Sequence, residues 1–206
     1  MRVLIFGDSI AQGFWDLDGG WAARIRRSYD ARQIEDMSRN EPMVFNVGIS
    51  GDTSTSLCKR FRSETLARKW LDEEFAVVIT VGVNDACIEA GKLWTTPDEY
   101  RQNITKLVEM AQELSSKVLF VGLTPCDEAK TTPVAWGDYT YRNEVIRRLD
   151  GILRDLCDQY NLPFVPVFEA FAGKEKELLP DGLHPNNKGH ELIADLVQPE
   201  LKNLLN

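Results

Sequence analysis

The chain has two histidines, His184 and His190. One of them stands in Asp181-Gly182-Leu183-His184-Pro185, which sets a carboxylate three positions ahead of an imidazole on one loop. At the opposite end of the sequence, Ser9 closes Gly7-Asp8-Ser9 directly after a run of apolar residues. A serine hydroxyl is a poor nucleophile until a neighbouring base takes its proton, and an imidazole does this best when a carboxylate fixes its tautomer and stabilises its charged form. Ser9, His184 and Asp181 have the types required for acyl transfer. Gly182 supplies backbone freedom between the two loop residues, and Pro185 restricts the exit.

Attack by a serine on a carbonyl creates an oxyanion that needs donors already aimed at it. Asn46-Val47-Gly48-Ile49-Ser50-Gly51-Asp52-Thr53 offers the backbone amide of Gly51, where the missing side chain allows close approach. Gly82-Val83-Asn84-Asp85 offers the side-chain amide of Asn84. With the backbone amide of Ser9 these make three candidate donors. Asp8 and Asp85 flank these groups, and aspartates in such turns usually accept hydrogen bonds from loop amides rather than do acid–base work.

These residues need a scaffold that brings distant segments together. Short apolar runs rich in branched side chains recur at 3–6, 44–47, 77–81, 118–123 and 164–167, each the pattern of a buried strand. Stretches of helical period lie between them, marked by Ile104, Leu107, Val108, Ala111 and Leu114, and by Val145, Ile146, Leu149, Ile152, Leu153 and Leu156. Thr96-Pro97-Asp98-Glu99 reads as a helix start, with Thr96 as cap, Pro97 at the first helical position and Glu99 completing a capping box. Leu192, Ile193, Leu196, Val197, Leu201 and Leu204 form a last helical face, which Pro199 is expected to bend or interrupt. Alternating strands and helices predict a parallel sheet covered on both sides, whose strand ends share one edge. The longest irregular stretch, 124–138, begins at that edge, where open sheets gather ligands.

Four short blocks now stand in order: GDSI at 7–10, NVGISGDTS at 46–54, GVND at 82–85 and DGLHP at 181–185. In them the chain resembles the SGNH hydrolases, the GDSL esterase and lipase superfamily, across almost its whole length. Ile10 stands where the motif that names the superfamily has leucine. The resemblance implies a flavodoxin-like α/β fold, a three-layer α/β/α sandwich on a five-stranded parallel sheet. It implies Ser9 as nucleophile, His184 as base, Asp181 as its orienting carboxylate, and Ser9, Gly51 and Asn84 as oxyanion donors. It implies a small-molecule ester as substrate and no metal or organic cofactor, and because the chain has no room for a separate lid domain, small or short-chain acyl groups are expected.

Other readings compete at particular positions. The segment 7–13 could cradle a phosphate at a helix start, as in flavin- or nucleotide-binding sandwiches. The same triad could also pass its acyl group to a sugar or alcohol instead of water. His190, between Gly189 and Glu191, reads as a solvated helix residue. Of Trp15, Trp21, Trp70, Trp94 and Trp136, most read as core; Trp136, in the irregular stretch, and Trp15, after the nucleophile block, are the candidates for lining a substrate cleft. Asp127 and Glu128 read either as pocket-shaping residues or as solvated loop charges.

A length of 206 residues, 43% hydrophobic and 27% charged, suits one domain with a substantial core. A formal charge of −8 argues against nucleic acid, because no basic stripe is available to displace phosphate counterions. Met1-Arg2-Val3-Leu4-Ile5-Phe6 reads as a strand rather than as a signal peptide, so a cytoplasmic protein is expected. No apolar run reaches the roughly 18 residues of a membrane span. Cys58, Cys87, Cys126 and Cys157 lack paired spacing and are expected as reduced thiols.

Overall fold

The computed structural model describes residues 1–206. Its strands are β1 (Arg2–Gly7), β2 (Met43–Gly48), β3 (Phe75–Thr80), β4 (Ile88–Glu89), β5 (Lys92–Leu93), β6 (Lys117–Val121), β7 (Tyr139–Thr140) and β8 (Phe164–Val165). The helices are α1 (Ser9–Gln12), α2 (Gly20–Glu35), α3 (Ser54–Arg68), α4 (Pro97–Leu114), α5 (Glu128–Thr131), α6 (Asn143–Gln159), α7 (Phe168–Phe171), α8 (Glu175–Leu178) and α9 (Asn187–Leu205).

Five strands form a parallel sheet in the order β2-β1-β3-β6-β8. β1 and β3 lie inside it, which is why Val3 to Phe6 and Ala76 to Ile79 are apolar at every position and wholly buried. β2, at the edge, buries only Val44 and Val47. The chain leaves β1 through α2 towards β2, then returns through α3 to β3 on the other side of β1. Right-handed crossovers therefore put α2 on one face and α3 on the other. α9 packs on α2, while α4 packs between α3 and α6, giving the three layers. The strand order reverses at β1, the switch point where open sheets of this kind leave a crevice beyond the strand ends.

The expected strands at 44–47, 77–81 and 118–123 fall within a residue or two of observed ones. The capping box of α4 forms as the sequence implies: Glu99 N donates to Thr96 Oγ1 at 3.3 Å and Thr96 N donates to Glu99 Oε2 at 2.9 Å. Pro199 does not interrupt the last helix, which runs through it from Asn187 to Leu205. Ile193, Val197 and Leu201 on either side of it are buried in the same core, and that packing holds both halves on one axis. A second, antiparallel sheet, β5-β4-β7, was not legible in the sequence, because strands of two residues carry no period.

Of the tryptophans read as core, Trp21 is buried but Trp70 and Trp94 are not; with the cleft candidates Trp15 and Trp136 they are 41–60% exposed. Trp70 lies against the Arg2 guanidinium and Trp94 edge-on to Tyr139, so these rings cover surface groups instead of filling the interior. All four cysteines are free thiols. No helix is long and apolar enough to cross a membrane.

Candidate active site

Ser9 is the first residue of α1, two positions beyond the end of β1, an interior strand of the sheet. Asp8 caps this short helix, its Oδ1 accepting from Ile10 N at 2.9 Å. The turn is pressed against β3: a Cβ on Gly7 would meet Thr80 O at 2.5 Å, so no other residue fits there without displacing backbone. Being at the start of a helix, Ser9 presents a backbone N–H that has no intrahelical acceptor.

His184 reaches this point from the segment before α9. Its Nε2 lies 2.9 Å from Ser9 Oγ, and its Nδ1 lies 2.7 Å from Asp181 Oδ2. An Nδ1–H held by the carboxylate leaves Nε2 free to accept from the serine hydroxyl, so the two contacts require the same tautomer. Asp181 Oδ1 accepts the amides of Leu183 and His184 at 2.8 Å each, which curls the loop so that carboxylate and imidazole meet. Gly182 makes that curl possible with φ at +94°, and a Cβ there would strike Lys130 Cβ at 2.7 Å. Burial pushes the Asp181 carboxyl up, but the hydrogen bonds from the His184 ring and from the two amides outweigh it and hold it at about 2.

The loop after β6 supports this turn. Asp127 N donates to Gly182 O at 2.8 Å, and Lys130 Nζ donates to Pro180 O at 3.1 Å. Asp127 is buried and caps α5, while Glu128 accepts from Asn143 N at 2.7 Å. Both carboxylates therefore hold backbone, which sets aside the reading of them as merely solvated loop charges.

Gly51 takes φ at +82° after β2, and its N–H makes no hydrogen bond within the chain. Asn84 donates through Nδ2 to Asp52 O at 2.9 Å, which leaves its second amide hydrogen free. Asp85 accepts from Ser54 N at 2.8 Å and from Ser54 Oγ at 2.5 Å, tying the loop after β3 to the start of α3. Asp8 and Asp85 thus hold backbone amides, as their positions in the sequence suggest.

Two groups near the site were missed in the sequence. Arg60 of α3 binds the Asp52 carboxylate through Nε at 2.6 Å and Gly7 O through Nη2 at 3.2 Å, bracing the glycine loop against the end of β1. His190 is not solvated but buried, with Nε2 3.0 Å from Phe14 O and Trp21 N donating to Nδ1 at 3.3 Å. Its burial depresses its pKa, so the ring is neutral and carries its proton on Nε2. The signal was present in the periodicity: His190 falls on the same helical stripe as Ile193, Val197 and Leu201.

Aromatic rings surround the His184 imidazole. Phe14, Trp15 and Trp136 lie with centroids 5.6, 6.1 and 5.9 Å from it. Both tryptophans singled out in the sequence are therefore brought to the site, and both remain partly open to solvent. A surface cavity of about 450 Å³ lies at the far end of the strands between Met1, Tyr29, Arg39 and Lys202, and it contains none of these groups.

A parallel five-stranded α/β sandwich with serine, imidazole and carboxylate in hydrogen-bonded sequence at its switch point places the protein among the hydrolases of this architecture. The chain matches the GDSL-like lipase/acylhydrolase family over residues 5–192 and belongs to that family; it is an esterase or acylhydrolase. It is 27% identical over 210 residues to esterase TesA of Pseudomonas aeruginosa, covering 98% of this chain and 89% of that one. It is 25% identical over 205 residues to the isoamyl acetate-hydrolyzing esterase of Saccharomyces cerevisiae, covering 94% and 83%. Among solved structures, the lipase/acylhydrolase from Enterococcus faecalis superposes with a TM-score of 0.76 at 26% identity, covering 98% of this chain and 95% of that one. The acetyl xylan esterase Axe2 from Geobacillus stearothermophilus shares the fold, with a TM-score of 0.74 at 21% identity and coverage of 97% and 93%. Membership of this family sets aside the flavin- or nucleotide-binding reading of the segment 7–13.

Proposed function

We propose that residues 1–206 form one domain that hydrolyses carboxylic esters of small acyl groups through an acyl-enzyme on Ser9. The observation that carries this reading is the continuous line from Ser9 Oγ to His184 Nε2 at 2.9 Å and from His184 Nδ1 to Asp181 Oδ2 at 2.7 Å. His184 takes the Ser9 proton as Oγ attacks the ester carbonyl, and the imidazolium is stabilised by Asp181. The carbonyl oxygen, now negative, takes hydrogen bonds from the Ser9 and Gly51 amides and from the free hydrogen of Asn84 Nδ2. Collapse of this intermediate breaks the bond to the alcohol, which leaves with the proton from His184. Water then gives its proton to His184 as it attacks the acyl-enzyme, and the acid departs as Ser9 recovers its hydrogen.

Small acyl groups are favoured because two of the similar proteins are named for acetate esters. The net charge of −8 leaves neutral small-molecule esters, not nucleic acids, as the natural partners.

A fluorophosphonate probe tests the nucleophile. The wild-type protein should be labelled and Ser9→Ala should not; labelling of Ser9→Ala would move the nucleophile elsewhere. Aryl esters from acetate to decanoate test the acyl preference. Turnover that rises towards decanoate would contradict the small-acyl assignment.

A further inference from the structure

Trp15 holds its backbone at φ +63°, a region that bulky residues avoid, while its side chain stays 59% exposed. Burial of the ring therefore does not account for the conformation. The indole Nε1–H donates to Asp181 Oδ2 at 2.5 Å, the same oxygen that meets His184 Nδ1 at 2.7 Å. Asp181 Oδ1 takes the amides of Leu183 and His184. Four N–H groups thus surround one carboxylate, two on each oxygen, and the indole is the one supplied from the other end of the chain.

The segment that presents Trp15 is fixed on both sides. Before it, the Phe14 carbonyl accepts from Nε2 of the buried His190 at 3.0 Å. After it, the buried Asp16 carboxylate accepts the amides of Asp18 and Gly20 at 3.0 Å each and pairs with Arg24. Gly13 and Gly19 close the loop so tightly that a Cβ on Gly13 would lie 2.3 Å from Gly19 O. Backbone strain of this kind persists only where the surroundings over-determine it, and it concentrates at functional sites.

We propose that Trp15 is a positioning residue whose indole N–H fixes the direction of Asp181 Oδ2 and shares its charge, so that Trp15 sets how strongly Asp181 holds the His184 imidazolium. It meets neither the ester carbonyl nor the proton in transfer. This rests on the reading of Ser9, His184 and Asp181 given above. A carboxylate oxygen that accepts two donors offers less charge to each, so removal of the indole N–H strengthens the pull of Asp181 on the protonated imidazole. The other ionisable groups that face His184 are Asp8 from the β1–α1 turn and His190 from α9. Lys130 of α5 is engaged by the carbonyls of Leu179 and Pro180, and Phe14 and Trp136 are uncharged. Replacement of Trp15 changes none of these charges.

The discriminating variant replaces Trp15 with 3-benzothienylalanine, which keeps the bicyclic shape and puts sulfur in place of the N–H; Trp15→Phe is its companion. Thermal melting and the pH profile of kcat/KM are measured on an aryl acetate. Loss of the donor should move the acidic limb of kcat/KM, which reports the free enzyme, upward by about 0.5 pH unit or more. Because Oδ2 also loses the bond that fixes its direction, kcat should fall by about 3- to 10-fold despite the stronger pull, the worth of one positioning hydrogen bond, with KM within about twofold of wild type. A ring that only lines the cleft would change KM and leave the limb in place, and an unmoved limb in the benzothienyl protein overturns the proposal even if Trp15→Phe fails to fold. Ser9→Ala separates the two levels: activity surviving in it would defeat the triad reading, whereas an inactive Ser9→Ala beside an unmoved limb defeats the Trp15 assignment alone.

Discussion

The side chain of Asn84 is bonded to the main chain of Asp52, its Nδ2 donating to the Asp52 carbonyl at 2.9 Å. The loop after β3 and the glycine loop after β2 are thereby joined at the residue next to Gly51, and the Asn84 amide cannot turn away from the crevice without breaking that bond. Asp85, the neighbour of Asn84, adds its two bonds to Ser54. The proposed oxyanion donors are thus borne by two loops locked to each other before any substrate arrives, the preorganisation that makes such donors effective.

Asn84→Ala removes one donor and leaves the Asp52 carbonyl without its partner. Turnover of an activated ester should fall on the order of 100- to 1000-fold, as for loss of a single oxyanion donor elsewhere. The lost hydrogen bond should destabilise the fold by only about 1 kcal/mol. The check is kcat together with a urea denaturation curve: wild-type turnover in the variant would remove Asn84 from the site, and loss of folding would make it a structural residue.

The Arg60–Asp52 pair acts on the same loop from below. Both side chains are largely buried, with 14% and 8% exposed, so each charge depends on the other. Arg60→Met should destabilise the protein by roughly 3–5 kcal/mol, because it strands a buried carboxylate. It should also reduce kcat as the Gly51 turn loosens. Arg60→Met combined with Asp52→Asn should recover most of the stability, since the costly state is the broken pair and not the absence of a pair. Additive losses in the double variant, read by denaturation, would refute this coupling.

What the sequence disclosed and what it hid divide along one physical line. The site blocks were legible because each terminates an apolar run, and parallel strands bring such termini to a common edge whatever their separation in the chain. The layers were legible because the apolar faces of α4, α6 and α9 keep a helical period. Contacts made by individual long side chains were not. No local pattern pairs Trp15 with Asp181, 166 positions away, or ties Arg60 to Gly7 O, 53 positions away. The charge type of His190 masks its place on the apolar stripe, and the ring size of Trp70 and Trp94 suggests a burial that neither ring has. Pro199 in the sequence implies the break that a proline makes in an isolated helix, where packing of the kind α9 enjoys is absent.

Asp8, beside Ser9, should leave a signature in the pH dependence of stability. It is almost completely buried, and burial pushes its carboxyl up from 3.8 to about 6, against the opposing pull of the Ile10 amide and of His184. A carboxyl raised on folding binds its proton more tightly in the native state. The stability this lends is fully present below about pH 4 and is lost as pH rises through about 6, leaving the ionised form at a cost on the order of 3 kcal/mol at neutral pH. Asp181 acts in a separate window and with opposite sign: held at about 2, it loses its stabilising effect only as pH falls below 3.8. Asp8→Asn keeps a side-chain oxygen to cap α1, since asparagine is as good a cap as aspartate, and removes the charge. The variant should therefore match the wild type near pH 4 and exceed it at pH 8 by that margin. Urea denaturation at steps between these pH values measures the difference, and parallel curves for the two proteins would show that Asp8 is ionised without penalty in the native state.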